Sequence, residues 1–184
     1  MKKTAGILKF LSTLAMVLEV IGLLAVAAVV VTLLVAGNFS DLAAQSNSPI
    51  TVNGGTMTPA EMDALKPIIL IAMAFALASL VFTFIGTLKT RTALGECKEE
   101  RPFSEKCVNA VKLSARMEII GGLVGIVSSI VLALMASSLT VNGTSVGSTS
   151  TRLSLTFLFY ALEKYLLYHI AKYGHSLETN PDKQ

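Results

Sequence analysis

Charged residues are scarce in this sequence. Only 15% of its 184 residues are Asp, Glu, Lys or Arg, whereas 53% are hydrophobic, and the mean hydropathy is +0.67. A soluble domain of this length needs more charged surface than that. The composition therefore excludes an ordinary soluble domain and indicates a protein that is surrounded largely by lipid.

The residue patterns of catalytic and metal sites are missing as well. The two cysteines, Cys97 and Cys107, are separated by nine residues and have no histidine nearby, which is a poor metal-binding signature. No apolar segment carries paired histidines, a His-Glu-x-x-His helix, an aspartate dyad or a Gly-x-Ser-x-Gly turn. We therefore expect a protein that is not an enzyme, binds no cofactor or metal, and keeps two unremarkable reduced thiols.

Apolar residues are concentrated in four blocks, and each is close to the ~20 residues that a helix needs to cross a ~30 Å hydrocarbon core. The first block follows a basic start but is about twice as long as the apolar part of a signal peptide, which favours an uncleaved helix. We expect an all-α polytopic membrane protein, a single membrane domain over 1–184 with the lipid bilayer as its surroundings. The predicted spans are 13–36, 67–88, 118–138 and 153–171.

Basic residues are distributed unevenly between the predicted loops. Twelve of the 15 precede the first span, lie in the loop 89–116, or follow the fourth span. The outer loops, 37–66 and 139–152, hold only Lys66 and Arg152. The positive-inside rule then places both termini and the loop 89–116 in the cytoplasm. Because topology accounts for the net charge of +3, we expect no direct binding of nucleic acid.

Two short motifs recur in the same order along the chain. LEVIGLL (18–24) is matched by MEIIGGL (117–123), and TVNGGT (51–56) is matched by TVNGTS (140–145). We interpret the chain as two copies of a helical hairpin, related by an axis along the membrane normal. Chance similarity between short apolar segments is the alternative. The Asn-Gly pairs also predict tight hairpin turns, with Thr51-Val52 and Thr56-Met57 flanking the first.

The loop between the second and third spans contains signals for a helical hairpin. Gly95 can end the helix that continues from the second span, and Pro102 prevents its continuation. Ser104 is a good N-cap for the next helix, and Phe103 and Val108 are spaced as a hydrophobic staple. These signals predict two helices that project into the cytoplasm and meet at a turn of mixed charge.

The segment RPFSEKCVNAVKLSARM (101–117) resembles the G-x-PF-(S/T)-E-x-N-x-x-x-L loop of small bacterial membrane proteins called domain of unknown function 2975. The last helix, 159–178, is similar to that family's last helix, whereas ECKEER in the loop and TNPDKQ at the end depart from its pattern. The resemblance implies four spans in a bacterial plasma membrane, no established activity, and frequent proximity to small helix-turn-helix regulators. The matching positions are Pro102, Phe103, Ser104, Glu105, Asn109 and Leu113.

Four charged residues fall within or beside the predicted spans. Glu19 and Glu118 lie towards the cytoplasmic ends of their helices, whereas Glu163 and Lys164 lie roughly 16 Å inward of Arg152, close to mid-membrane. A charge at the centre of a lone helix costs ~2.5–3.5 kcal/mol. We therefore expect Lys164 to pair with Glu19 or Glu118, and any surplus acid to be protonated. For Glu19 and Glu118, simple hydration at the membrane interface stays an alternative.

Small residues recur every fourth position along the third span and predict a ridge for close helix packing. The residues of this ridge that we expect to pack are Gly121, Gly125 and Ser129.

Two functions remain open. The first is a regulatory or scaffold protein that presents the cytoplasmic loop to a protein partner, such as a small helix-turn-helix regulator. The second is a small carrier or channel for protons, ions or small molecules, with Glu163 and Lys164 along the path. Because four spans make a thin path, we expect a homo-oligomer in that case. The candidate docking residues for the first function are Arg101, Pro102, Phe103, Ser104 and Asn109.

Overall fold

The described part of the chain is helical apart from two minimal β-hairpins. The computed structural model describes residues 2–35, 37–45, 51–52, 55–141, 144–145 and 156–179. Its elements are α1 (Lys2–Val35), α2 (Phe39–Gln45), β1 (Thr51–Val52), β2 (Gly55–Thr56), α3 (Pro59–Lys98), α4 (Glu105–Ser138), β3 (Thr140–Val141), β4 (Thr144–Ser145) and α5 (Thr156–Thr179).

Three helices, α1, α3 and α4, are each long and apolar enough to cross a membrane. Many of their large apolar side chains are exposed, as expected of helices that are solvated by lipid. Among the described helices, α5 does not meet the same measure of length and hydropathy, since Glu163, Lys164 and His169 interrupt its 24 residues. The described helices are thus compatible with a multi-pass membrane protein in which α1, α3 and α4 are the candidate spans.

α3 is a single helix that begins before the predicted second span. Its first turn is held by a capping box, in which the Glu61 carboxylate accepts hydrogen bonds from the Thr58 amide at 2.7 Å and hydroxyl at 2.8 Å. The helix then continues through Pro67, where the prediction started a new span. A proline removes only one backbone donor, and the surrounding 40-residue helix tolerates that loss here.

The strand pairs that flank the two Asn-Gly pairs have the same register. β1 pairs with β2 in the register Thr51↔Thr56, and β3 pairs with β4 in the register Thr140↔Ser145. The predicted hairpins are therefore present, although β2 begins one residue earlier than expected. The Asn-Gly pairs themselves lie outside the described residues. Equal registers in the two copies agree with the interpretation of the chain as a duplicated hairpin.

Two compact units can be distinguished. The first unit comprises Met1–Leu23, Ser79–Leu123 and Ser154–Gln184, and the second comprises Leu24–Ala78 and Val124–Leu153. In the second unit, the Asp63 carboxylate accepts hydrogen bonds from the amide and hydroxyl groups of Ser40, at 3.0 and 3.3 Å. These bonds tie the start of α2 to α3. All candidate charged residues lie in the first unit.

The junction of α3 and α4 is the interhelical turn, residues 99–104. The prediction that Gly95 ends α3 is wrong, because the helix continues to Lys98 and the left-handed residue is Glu100, with φ of 62°. The Arg101 amide then donates to the Glu96 carbonyl at 2.9 Å, which satisfies one of the last carbonyls of the helix. The predicted N-cap is confirmed, since Ser104 Oγ accepts from the Cys107 amide at 3.1 Å.

α5 runs antiparallel to the first half of α4 within the first unit. The ring of Phe157 lies so close to Gly122 that a Cβ atom there would overlap it. Towards the other end of α5, His175 Nδ1 lies 2.8 Å from the carbonyl oxygen of Phe103. α5 therefore lies beside residues 103–122, from the middle of α4 to the interhelical turn.

The beginning of α1 and the end of α5 both lie beside the interhelical end of the first unit. Lys9 Nζ would lie 3.4 Å from a Cβ atom placed on Gly95, and His175 contacts Phe103. Within the described residues, the two ends of the chain are therefore at the same end of this unit.

Candidate functional site

A cavity of about 790 Å³ lies between α3, α4 and α5 in the first unit. Each of the three helices contributes apolar side chains, such as Leu94 on α3, Val111 on α4 and Leu167 on α5. Pro102 and Phe103 of the interhelical turn also contribute to its lining. Its volume is within the range of small-molecule binding cavities, ~300–1,000 Å³.

An ion pair between α4 and α5 lines this cavity. Lys164 Nζ lies 2.6 Å from Glu118 Oε2, and the two side chains are 27% and 29% exposed. Of the two partners expected for Lys164, the structure places Glu118 beside it. Glu163 lines the same cavity but has no hydrogen bond or ion pair to any described residue. The three charged groups together leave one negative charge uncompensated when both acids are ionised.

This ion pair relates the level of Lys164 to that of Glu118. Glu163 and Lys164 were expected near mid-membrane, whereas Glu118 was expected at the inner end of its span. Because Lys164 contacts Glu118, the two groups must lie at the same level. The ring of Phe157, in the first turn of α5, lies beside Gly122 in the middle of α4. Glu163 and Lys164 thus belong to the level of Glu118.

Glu19 lies apart from this pair, between α1 and α3. Its Oε1 accepts a hydrogen bond from the Thr87 hydroxyl at 2.8 Å, and its Oε2 is buried with no partner among the described residues. The Ser12 hydroxyl also approaches the Thr87 carbonyl at 3.5 Å. The two acids of the repeated motif therefore have different partners, a hydroxyl group for Glu19 and an ammonium group for Glu118.

The two thiols meet on the wall of the cavity, which the sequence did not predict. Cys97 and Cys107 both line it, and they pack in one cluster with Ala93 and Ala110. Both cysteines are outside the predicted spans. Burial, and after it the neighbouring Cys97 thiol, raises the pKa of Cys107 to about 12. The nine-residue spacing of the cysteines could have indicated that they meet. Cys97 is the second-last residue of α3 and Cys107 is the third of α4, so they lie on either side of the interhelical turn.

Glu96 is the residue that holds the interhelical turn, and the sequence analysis did not identify it. Its side chain is only 4% exposed, yet it accepts hydrogen bonds from Lys106 Nζ at 2.8 Å and from Ser104 Oγ at 3.0 Å. These two hydrogen bonds hold the pKa of Glu96, which lies outside the predicted spans, below its ordinary value. An acid in the last turn of a helix interacts unfavourably with the helix dipole. The presence of Glu96 at that position could therefore have indicated that it has a structural role.

The predicted docking residues fall into two groups. Arg101 has a side chain that is 62% exposed, and Asn109 is exposed. Phe103 instead packs on Gly174 of α5, Pro102 lines the cavity, and Ser104 is engaged as the N-cap and with Glu96. These three contact their own chain and are not free docking side chains.

The predicted packing residues differ in how closely a neighbouring helix approaches them. A Cβ atom on Gly121 would make an ordinary contact with Phe82 at 3.6 Å, and one on Gly125 would meet no described atom within 4 Å. The Ser129 hydroxyl bonds to the Gly125 carbonyl of its own helix at 2.9 Å. Gly122 and Gly174 are the positions where an aromatic ring needs the absence of a side chain. Of the predicted packing residues, Gly121 thus lies at van der Waals distance from α3, and the tightest approaches are at Gly122 and Gly174.

Within the described ranges, no group of three or more His, Cys, Asp or Glu side chains could hold a metal ion. Comparisons of the chain with protein-family models, with curated proteins and with solved structures find no match.

Proposed function

We propose that this chain is a regulatory or scaffold protein of the plasma membrane that presents its interhelical turn to a cytoplasmic protein. The observation that carries the proposal is a turn that is exposed and charged but held in one conformation. Glu99, Glu100 and Arg101 are exposed, and the turn beneath them is held by the buried Glu96 carboxylate. A preorganised surface of this kind loses little conformational entropy on binding.

The proposed topology has four spans, with both termini and the interhelical turn in the cytoplasm. It is supported by the excess of basic residues at these positions and by the approach of both chain ends to the turn. The resemblance to the small bacterial membrane proteins named above also favours it, and favours a small helix-turn-helix regulator as the partner. This function requires no catalysis, cofactor or direct nucleic-acid contact.

The experiment is site-specific photocrosslinking in intact source cells. A photoreactive residue at Arg101 or Asn109 is expected to form one discrete adduct with a soluble cytoplasmic protein. The same residue at Tyr173, which is exposed on α5, is the matched control and should form none. Glu96→Gln should weaken the adduct at Arg101 without reducing the amount of inserted protein. Absence of an adduct at both turn positions, or an equal adduct at Tyr173, would contradict the proposal.

The second candidate, an oligomeric carrier, is favoured by one specific observation. Glu163 lines the cavity next to the Glu118–Lys164 pair and has no partner among the described residues. A carrier predicts a flux of protons or monovalent cations into liposomes that is lost in Glu163→Gln and kept in Glu178→Gln. Absence of flux in the unmodified protein would eliminate this candidate and leave the regulatory function untouched.

A further inference from the structure

We propose that the cavity is a binding site for a lipophilic monocation, an apolar molecule that carries one positive charge, with Glu163 as its counter-ion. This inference goes beyond the docking function and does not depend on it. A regulator could respond to such a ligand, and a carrier could move it.

The apolar walls of the cavity indicate that most of the ligand is apolar. Leu94, Val111, Leu167 and Ile170 line the cavity from three helices, together with Phe103, and Leu167 and Ile170 are each about half exposed. A volume of about 790 Å³ accommodates a molecule of drug-like size. Burial of an apolar body against these side chains is favourable because it removes apolar surface from water.

The charged residues of the cavity indicate the sign of the ligand's charge. Lys164 is already neutralised by Glu118 at 2.6 Å, so Glu163, an exposed residue of α5 that lines the cavity, is the group whose charge has no counterpart in the described part of the cavity. Neighbouring residues of a helix point about 100° apart, so Lys164 cannot face Glu163 while it keeps its bond to Glu118. A bound cation would restore neutrality, whereas an anion would add to the uncompensated negative charge.

The position of Tyr160 agrees with a cationic ligand. It precedes Glu163 by three residues on α5, so the two side chains lie on one face of the helix, and both line the cavity. The face of an aromatic ring attracts an ammonium or phosphonium group. An acid and an aromatic ring beside apolar walls together form the chemistry that recognises a lipophilic cation.

A lipid acyl chain is the other occupant that would match the apolar walls. It would leave Glu163 uncompensated, because a zwitterionic or anionic phospholipid brings no surplus positive charge. The two occupants therefore differ in one measurable property, the dependence of binding on the sign of the ligand's charge.

The test is equilibrium dialysis of the full chain in nanodiscs, with empty nanodiscs subtracted. Radiolabelled tetraphenylphosphonium is the cationic probe, and tetraphenylborate is the anion of nearly the same shape. The expected result is saturable binding of the cation and none of the anion. Glu163→Gln should weaken cation binding by roughly fivefold, the upper end for partly exposed ion pairs. Glu163→Asp should restore part of it, and Glu178→Gln, an exposed position of the same helix, should leave it unchanged.

A second variant tests the location. Leu167→Trp adds bulk inside the cavity and should abolish saturable binding of the cation. Equal binding of cation and anion, an unchanged affinity in Glu163→Gln, or absence of saturable cation binding would each overturn the proposal. Co-purification of a phospholipid that Leu167→Trp expels, without cation binding, would identify the lipid as the occupant and also overturn it. None of these outcomes bears on crosslinking at Arg101, so the two proposals fail independently.

Discussion

Removal of either partner of the Glu118–Lys164 pair should destabilise the first unit. The pair joins α4 to α5 at 2.6 Å, and about 70% of each side chain is removed from solvent, as the exposures of 27% and 29% imply. Glu118→Gln leaves the Lys164 ammonium group without its partner, and Lys164→Met leaves the Glu118 carboxylate without its own. The double variant removes both charges, so it loses the attraction between them only once.

The magnitude lies between two known limits. Exposed ion pairs contribute ~0–1 kcal/mol, whereas breaking a fully buried pair costs ~3–5 kcal/mol. A pair that is mostly buried should lie between them, so each single variant is expected to lower the free energy of unfolding by about 2 kcal/mol. The double variant should lose less than the sum of the two, with a coupling energy of roughly 1–2 kcal/mol.

The assay is reversible unfolding of the protein in bicelles, followed by steric trapping at tags on α4 and α5. A second cycle, with Glu163→Gln in place of Glu118→Gln, is the matched control, because Glu163 adjoins Lys164 but does not contact it in the structure. Its coupling energy should be close to zero. Coupling of the same size in both cycles would show that Lys164 moves between the two acids. Coupling below about 0.3 kcal/mol for the first cycle, within the usual error of additivity, would refute the ion pair as a stabilising contact.

Three further predictions concern the interhelical turn. Gly174→Leu should displace the ring of Phe103 and speed amide hydrogen exchange at the end of α5. The control is Ser176→Leu, an exposed position two residues further along the same helix, which should have neither effect. With Cys97→Ser, the remaining Cys107 thiol should resist maleimide at pH 7.5, because its pKa is raised and its side chain is buried; rapid labelling would contradict this. The pKa of Glu96 is lowered from 4.5 on folding, so its stabilising effect is present above that pH and is lost as the pH falls further. Acid titration of unfolding should show this loss, and Glu96→Gln should remove it; equal pH dependence in both proteins would argue against it.

Features that depend on neighbouring residues were predictable. The apolar blocks predicted α1, α3 and α4, because each backbone in lipid must satisfy its own hydrogen bonds. Ser104 was recognisable as an N-cap, and TVNG as a hairpin, since both depend on a few consecutive residues. The local error at Gly95 arose because Glu100 adopts the left-handed conformation that glycine usually provides.

Contacts between distant residues were decided by the tertiary structure. Charge and depth left two acids open as partners of Lys164, and only the position of α5 beside residues 103–122 brings Glu118 to it. The same placement puts Phe103 on Gly174 and creates the cavity, so residues expected to face a partner contact their own chain instead.

By itself, therefore, the sequence determined that this is a helical membrane protein with a structured turn between two long helices, because lipid burial and helix capping are set by composition and short spacing. Only the tertiary structure decided which charges are paired and which one is left, because pairing depends on where a helix far along the chain comes to lie. That uncompensated charge, on Glu163, is the basis of the ligand proposed for the cavity.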